Sequence, residues 1–213
     1  KRLVRWRPNI GQLLMVDIKI GSRTIGKRHP VYFMADIAAN HDGSLDRAYK
    51  LIELAKEAGA DAAKFQNFKA NMIVSSRGFD TLKGQMSHQA AWNKSVYQVY
   101  EEASVPTDWT AHLKEKCNEV GIEYLTTPYD LDTVDSVDRF VRAYKIGSGD
   151  VTWHELVRHI ASKRKPVIMA TGACSFHDVQ MAMAILQEQN SKTVLMQCNT
   201  NYTGSRENLS YIN

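Results

Sequence analysis

Short, nearly continuous apolar runs alternate with longer stretches in which apolar positions recur every three or four residues, regularly from Val31 onward. The short runs read as buried strands and the longer stretches as amphipathic helices. Val31–Ala35 is the first run. The loop Asp36–Gly43 follows it, then a helix capped by Ser44 with Leu45, Ala48, Leu51, Ile52 and Ala55 on its apolar face. Gly59 stops that helix, and Ala60–Gln66 reads as a second strand with a polar far end. Asn67 to Pro106 is a long insertion, helical around Val96, Val99, Tyr100 and Ala103. Insertions of this length inside a compact domain commonly act as functional lids.

A helix from Thr107 to Gly121 leads into the strand Ile122–Thr127, stopped by Pro128, and then a short helix carries Leu131, Val134 and Val137. Phe140–Tyr144 reads as the lead-in of a fourth strand, which runs into Tyr144-Lys145-Ile146-Gly147-Ser148-Gly149-Asp150. Thr152-x-x-Glu155 has capping-box spacing and predicts a helix start there, with Leu156, Val157 and Ile160 buried. Pro166–Thr171 is the fifth strand. Ser175-x-x-Asp178 opens a helix facing Val179, Ala182, Met183 and Leu186 inward, and Thr193–Cys198 is the sixth strand. Ahead of the series, Val16–Ile20 alternates and turns at Gly21-Ser22 into Arg23-Thr24-Ile25, a β-hairpin.

Alternating strands and helices imply a parallel sheet of βα units. Such a series closes as a (β/α)8 barrel or stays open as a doubly wound sheet. Polar residues mark the strand ends, Asp36, Lys64, Gln66, Thr127, Lys145, Ser148, Thr171 and Thr200 among them. They serve one site only if those ends converge, which favours the barrel. A barrel takes roughly 250 residues. The sequence has 213, so the expected fold is an α/β, (β/α)8 TIM barrel truncated after about six βα units. The expected organisation is a leader at 1–15 of unknown role, a hairpin at 16–28 and the partial barrel at 31–213.

Composition narrows the functional classes. A net charge of +4 is mild and forms no basic block of the nucleic-acid-binding kind. Cys117, Cys174 and Cys198 have neither disulfide-framework nor zinc-site spacing and read as reduced thiols, hence a cytoplasmic protein. No apolar run reaches the ~18 residues needed to span a membrane. The methionines Met181, Met183 and Met196 fall at packing positions.

The stretch around Lys145 carries the most chemistry. Two glycines let the backbone turn and approach a bound group, while Lys145, Ser148 and Asp150 supply a cation, a hydroxyl and a carboxylate. With a helix beginning just beyond, this is an anion seat. An ordinary strand-to-helix loop is the competing reading, because Gly-x-Gly alone is a weak signal.

Several ordered stretches together resemble the sialic acid synthase (N-acetylneuraminate synthase) family. They are Asp36-Ile37-Ala38-Ala39-Asn40-His41-Asp42-Gly43-Ser44, Lys64-Phe65-Gln66, Thr126-Thr127-Pro128-Tyr129, Tyr144 to Asp150 and Thr171-Gly172. The resemblance implies a barrel that condenses phosphoenolpyruvate with an N-acetylmannosamine-like sugar or its phosphate. The product is a nine-carbon 2-keto acid, formed with release of phosphate. It also implies a divalent metal, manganese or magnesium, and a homodimer completed by a small C-terminal domain. By resemblance Lys64, Lys145, Thr127 and Ser148 are the phosphoenolpyruvate contacts, and Gln66 and Tyr202 match positions that contact the sugar, with Thr171 and Thr200 beside them. Asp36, Lys64 and Asp150 are the catalytic candidates, since a carboxylate suits the acid–base step. Against this, Asp36 and Asp150 also fit helix caps, Tyr202 fits core packing, and His41 fits a structural hydrogen bond better than a metal ligand.

The sequence departs from the family pattern at Asp36, where Glu is expected, at Ala170, where Ser is frequent, and at Gln197-Cys198-Asn199 with Tyr202-Thr203. These departures bear on the acceptor sugar more than on the reaction class, and a bacillosamine-derived sugar is a credible alternative acceptor. The metal-binding histidines implied by the family are expected beyond Asn213, so residues 1–213 alone are expected to be inactive. The alternatives are another phosphoenolpyruvate-dependent keto-sugar-acid synthase, or a non-catalytic barrel that binds anions or a partner.

Overall fold

The computed structural model describes residues 17–81 and 92–200. The leader at 1–15 and Tyr202 lie outside the described residues. Strands β1 (Ile18–Ile20) and β2 (Arg23–Ile25) pair antiparallel with Ile18 opposite Ile25, as the alternation predicts. Six parallel strands follow: β3 (Met34–Ala38), β4 (Ala62–Asn67), β5 (Glu123–Pro128), β6 (Tyr144–Ile146), β7 (Val167–Ala170) and β8 (Thr193–Met196). They form two three-stranded sheets, β3-β4-β5 and β6-β7-β8. Among the described residues β5 and β6 run side by side without a hydrogen-bonded ladder between them, and the sheets do not close into a ring.

Helix α1 (Leu45–Glu57) starts where Ser44 Oγ accepts from Arg47 N, and it buries Ala48, Ile52 and Ala55. The insertion folds into α2 (Ala70–Ile73), α3 (Ser76–Thr81) and α4 (Val96–Ala103), the last opened by a reciprocal Ser95/Gln98 box. Then come α5 (Trp109–Val120), α6 (Leu131–Val137), α7 (His154–Ser162) and α8 (Phe176–Glu188). The predicted box at Ser175 and Asp178 is present, with both of its bonds.

Strand alternation sorts side chains into two cores. Phe65, Tyr124, Tyr144, Ile146, Val167 and Met169 face the helices and pack with Ile52, Leu113, Leu156 and Leu186. Ala62, Leu125, Ala143 and Ile168 face the other way, where Ile18 and Ile20 of the hairpin cover them. One step further along the same face lie Lys64 on β4, Thr127 on β5 and Lys145 on β6. Apolar residues thus floor the hollow of the sheets, and polar ones line it at the C-terminal strand ends.

Three local expectations need correction. Val31 and Phe33 are 68% and 61% exposed, so the first strand begins at Met34 and is not buried on both faces. It is an edge strand with one neighbour, and the stretch before it is held by Phe33 N donating to Asp61 Oδ2 at 2.8 Å. Phe140 ends a 3-10 turn, Asp138–Phe140, so β6 starts only at Tyr144, whose hydroxyl is tied to Asp138 Oδ1 at 2.7 Å. Thr152 caps nothing. Residues Ser148–Asp150 form a 3-10 turn, Val151 is tucked into the core, and α7 begins two residues later behind Trp153.

Candidate anion and sugar site

Lys64 sits on β4 opposite Asp36 of β3, and its Nζ lies 2.5 Å from Asp36 Oδ1. The lysine is buried, whereas the Asp36 side chain is 60% exposed at the mouth of the site. A β-bulge between Asp36 and Ala38 lets the strand turn out directly after the carboxylate. Lys145, on β6, is likewise buried, and its Nζ donates to Ile146 O at 2.7 Å. Burial and the neighbouring Lys64 cation push the Lys145 pKa down to about 8, partly offset by Cys198, Asp36 and Asp150. Asp150 moves the opposite way, raised by burial to about 6 although Lys145 pulls it down. A carboxylate that titrates closer to neutrality than usual thus stands near a lysine that is neutralised more readily than usual.

The turn after β6 is built by close approach. A Cβ on Gly147 would stand 2.9 Å from Asp150 Oδ2, so glycine is what lets that carboxylate fold back over the strand end. Gly149 has open space around it and no such requirement. Ser148 Oγ accepts from Gly172 N at 3.0 Å, which stitches the loop after β6 to the loop after β7. At Gly172 a Cβ would lie 2.6 Å from Cys198 O and 2.7 Å from the Thr200 methyl, so three loops meet there. Because α7 starts at His154, the amides of its first turn are not those of the Ser148 loop. The seat rests on the lysines and on Ser148, not on a helix N-terminus as the sequence suggested.

Thr127 is buried beside Gln66 in the β4–β5 ladder. Thr171 is spent on structure, its Oγ1 donating to Met196 O at 3.1 Å, and Thr200 is exposed apart from its approach to Gly172. His41 is fully buried, accepts from Gly43 N at 3.2 Å and stands edge-on to Trp109, with burial lowering its pKa. That is a structural position. Among the described residues no three His, Cys, Asp or Glu side chains gather to hold a metal.

Sequence reasoning missed Tyr129. Its hydroxyl accepts from Gln66 Nε2 at 2.9 Å, and burial with the Asp150 and Asp36 carboxylates pushes its pKa up. Tyr129 directly follows the Thr-Thr-Pro strand end, which was the available signal. With Gln66, Phe68, Met72, Ile73, Tyr100, Asp150 and Trp153 it lines a cavity of about 370 Å³. A larger cavity of about 590 Å³ lies at the opposite ends of the strands. Arg23 is paired there with Asp61 and Lys114 with Glu123.

Two buried lysines, a seryl loop and a cavity lie at the C-terminal ends of the parallel strands of an α/β protein. The chain belongs to the NeuB family, which it matches over residues 51–212. It is 32% identical over 202 residues to the spore coat polysaccharide biosynthesis protein SpsE of Bacillus subtilis, covering 93% of this chain and 53% of that protein. It is 30% identical over 196 residues to N,N'-diacetyllegionaminic acid synthase of Legionella pneumophila, covering 89% and 54%. The fold matches that of N-acetylneuraminic acid synthetase from Leptospira borgpetersenii with a TM-score of 0.79, at 24% identity, over 92% of this chain and 63% of that one. The chain spans about half the length of the curated relatives it matches. Among the described residues no helix is long and apolar enough to cross a membrane.

Proposed function

We propose that the complete protein condenses phosphoenolpyruvate with an N-acyl amino sugar to give a nonulosonic acid and phosphate. The observation that carries this reading is the pair of buried lysines, Lys64 and Lys145, close enough for one to depress the pKa of the other. Lys64 has the Asp36 carboxylate, and the second buried cation, Lys145, remains costly until an anion lies beside it. A substrate bearing both a phosphate and a carboxylate offsets that cost, with Ser148 and Thr127 adding hydroxyls.

The balance of the reaction fixes what this chain's groups must do. Carbon 3 of the enol forms a bond to the aldehyde carbon of the open-chain sugar, and the aldehyde oxygen takes a proton to become a hydroxyl. Water then adds at carbon 2 and gives up a proton. The carbon 2 hydroxyl then passes its proton to the departing phosphate as the carbon–oxygen bond breaks, leaving the ketone. Both protons of the water are thus given up, one balancing the aldehyde oxygen and one the phosphate, so a group that titrates near neutrality can serve these transfers. Asp150, raised to about 6, fits that role. Asp36, hydrogen-bonded to Lys64 at the mouth, is the second carboxylate.

The whole fold is proposed to be a closed (β/α)8 barrel, with the hairpin beneath it as a floor, working as a cytoplasmic homodimer. Phosphate release by the complete protein, supplied with phosphoenolpyruvate and candidate amino sugars, tests the proposal. Release that depends on both substrates supports it, and release with neither or either alone contradicts it.

A further inference from the structure

Two adjoining cavities lie at the N-terminal ends of the strands, away from the Ser148 loop. One, of about 590 Å³, has Tyr32, Asp61, Glu123 and Arg142 in its lining. The other, of about 570 Å³, is lined by Lys19, Lys114, Arg139, Arg142 and Lys165. Gly21, Lys114 and Arg142 line both. These cations come from the hairpin, α5, the turn before β6 and the approach to β7, so no basic block marks them in the sequence.

The carboxylates beside them are engaged. Glu123 Oε1 accepts from Lys114 at 2.8 Å, and the hairpin turn covers its other oxygen so closely that a Cβ on Gly21 would collide with it. Asp61 accepts from Arg23 and from Phe33 N, and Asp138 accepts from Lys165 and the Tyr144 hydroxyl. Lys19, Arg139 and Arg142 are exposed and, among the described residues, have no carboxylate partner. Residues 1–16, which precede the hairpin, contain no Asp or Glu. The Tyr32 oxygen is buried without a hydrogen-bond partner among the described residues. Burial, with Glu123 and Asp61, keeps that phenol protonated, so it has a proton to donate.

We propose that these cavities form a second anion site, for a small molecule bearing two or more phosphate or carboxylate groups, with Arg142 as the contact common to both halves and Tyr32 as a hydroxyl donor. The site is independent of the condensation proposed above. Like charges gathered in a recess repel one another and concentrate anions, and a multivalent anion relieves several of them at once. The Arg142 guanidinium offers a planar fork that matches phosphate or carboxylate oxygens. Each volume falls in the roughly 300–1,000 Å³ range of small-molecule sites. A nucleic acid would call for a track of cations with aromatic faces for stacking, whereas these cations line recesses.

Calorimetric titration of pyrophosphate, citrate and inorganic phosphate into the complete protein carrying Lys145→Ala tests the site, because that change disables the seat at the other strand ends. At least one of the two polyanions is expected to bind, about tenfold or more tighter than inorganic phosphate, and which of them binds better separates a phosphate-bearing ligand from a polycarboxylate. Adding Arg142→Ala should weaken binding by about tenfold to hundredfold, and adding Tyr32→Phe by about tenfold. Arg142→Lys should restore part of the loss, and melting temperatures should stay level because Arg142 is exposed. Failure of both polyanions to bind overturns the inference, as does an affinity unchanged by Arg142→Ala. Inorganic phosphate binding as tightly as either polyanion overturns it too. A single-stranded oligonucleotide binding more tightly than both would make this a nucleic-acid surface and overturn it equally.

Discussion

Lys64 and Asp36 face each other in register on neighbouring parallel strands, the ammonium buried and the carboxylate at the mouth, 2.5 Å apart. The exposed carboxylate orients the buried cation without closing it off. Replacing Asp36 with Ala leaves the buried Lys64 ammonium without its carboxylate and is expected to cost about 1–3 kcal/mol. Removing this competitor for Lys64 should tighten phosphoenolpyruvate binding while turnover falls. Thermal denaturation, calorimetry and phosphate release on the same variant separate the three effects, and weaker anion binding would count against this role for Asp36.

The pH behaviour follows from Lys145 and Asp150. Between about 8 and 10.5 the unfolded chain holds the Lys145 proton more fully than the folded one, so stability should rise with pH across that window. Between 3.8 and about 6 the folded chain holds the Asp150 proton more fully, so stability should fall as pH rises there. Phosphoenolpyruvate affinity should decline above pH 8 as Lys145 loses its charge, and Lys145→Met should abolish both alkaline trends. Urea titrations and calorimetry at stepped pH read these slopes. An alkaline slope that persists in Lys145→Met would assign the titration to another group.

Gly172 is where three loops meet. Ala there would drive a methyl to 2.6 Å from Cys198 O, and such overpacking is expected to cost about 1–3 kcal/mol. The same change should weaken anion binding, because Gly172 N is the donor to Ser148 Oγ. A variant with unaltered melting temperature and affinity would show that the loops are not tightly joined.

Asn67 anchors a buried network that sequence reading passed over. Its Oδ1 accepts from Thr126 at 2.5 Å and Tyr124 at 3.3 Å, and its Nδ2 donates to Thr110 at 3.1 Å. Asn67→Ala strands these buried groups and is expected to cost about 1–3 kcal/mol in denaturant unfolding. No measurable loss would mean that water or rearrangement replaces the bonds.

How much of this was legible follows from which forces act locally. The helices over Ser44 and Ser175 were readable because cap and apolar stripe agree within one segment. Lys64, Lys145, Ser148 and Gln66 were readable as strand-end polar residues, and the structure brings Lys64 close enough to Lys145 to be felt by it. Thr152 misled because its spacing fits a cap, yet the burial of Val151 and the turn at Ser148 move the helix start onward. Val31 and Phe33 misled because an apolar run does not say whether a strand lies at an edge. Tyr129 went unnoticed because its role depends on Gln66, 63 residues away in sequence.

Residues 1–213 by themselves, which span about half the length of the curated relatives they match, are expected to form a nonulosonic acid far more slowly than the complete protein. Phosphate release by the purified fragment beside the complete protein checks this. Comparable rates would place all the needed chemistry within this chain.

The most direct test of the anion seat is calorimetric titration of phosphoenolpyruvate into the complete protein and its Lys64→Ala and Lys145→Ala variants. Each loss removes a charge-assisted contact worth about 1.5–3 kcal/mol, or roughly a tenfold to hundredfold weakening. Weakening of that size in both variants, with melting temperatures near that of the unaltered protein, is the expected result. Unchanged affinity in both would contradict the seat, and with it the proposed reaction.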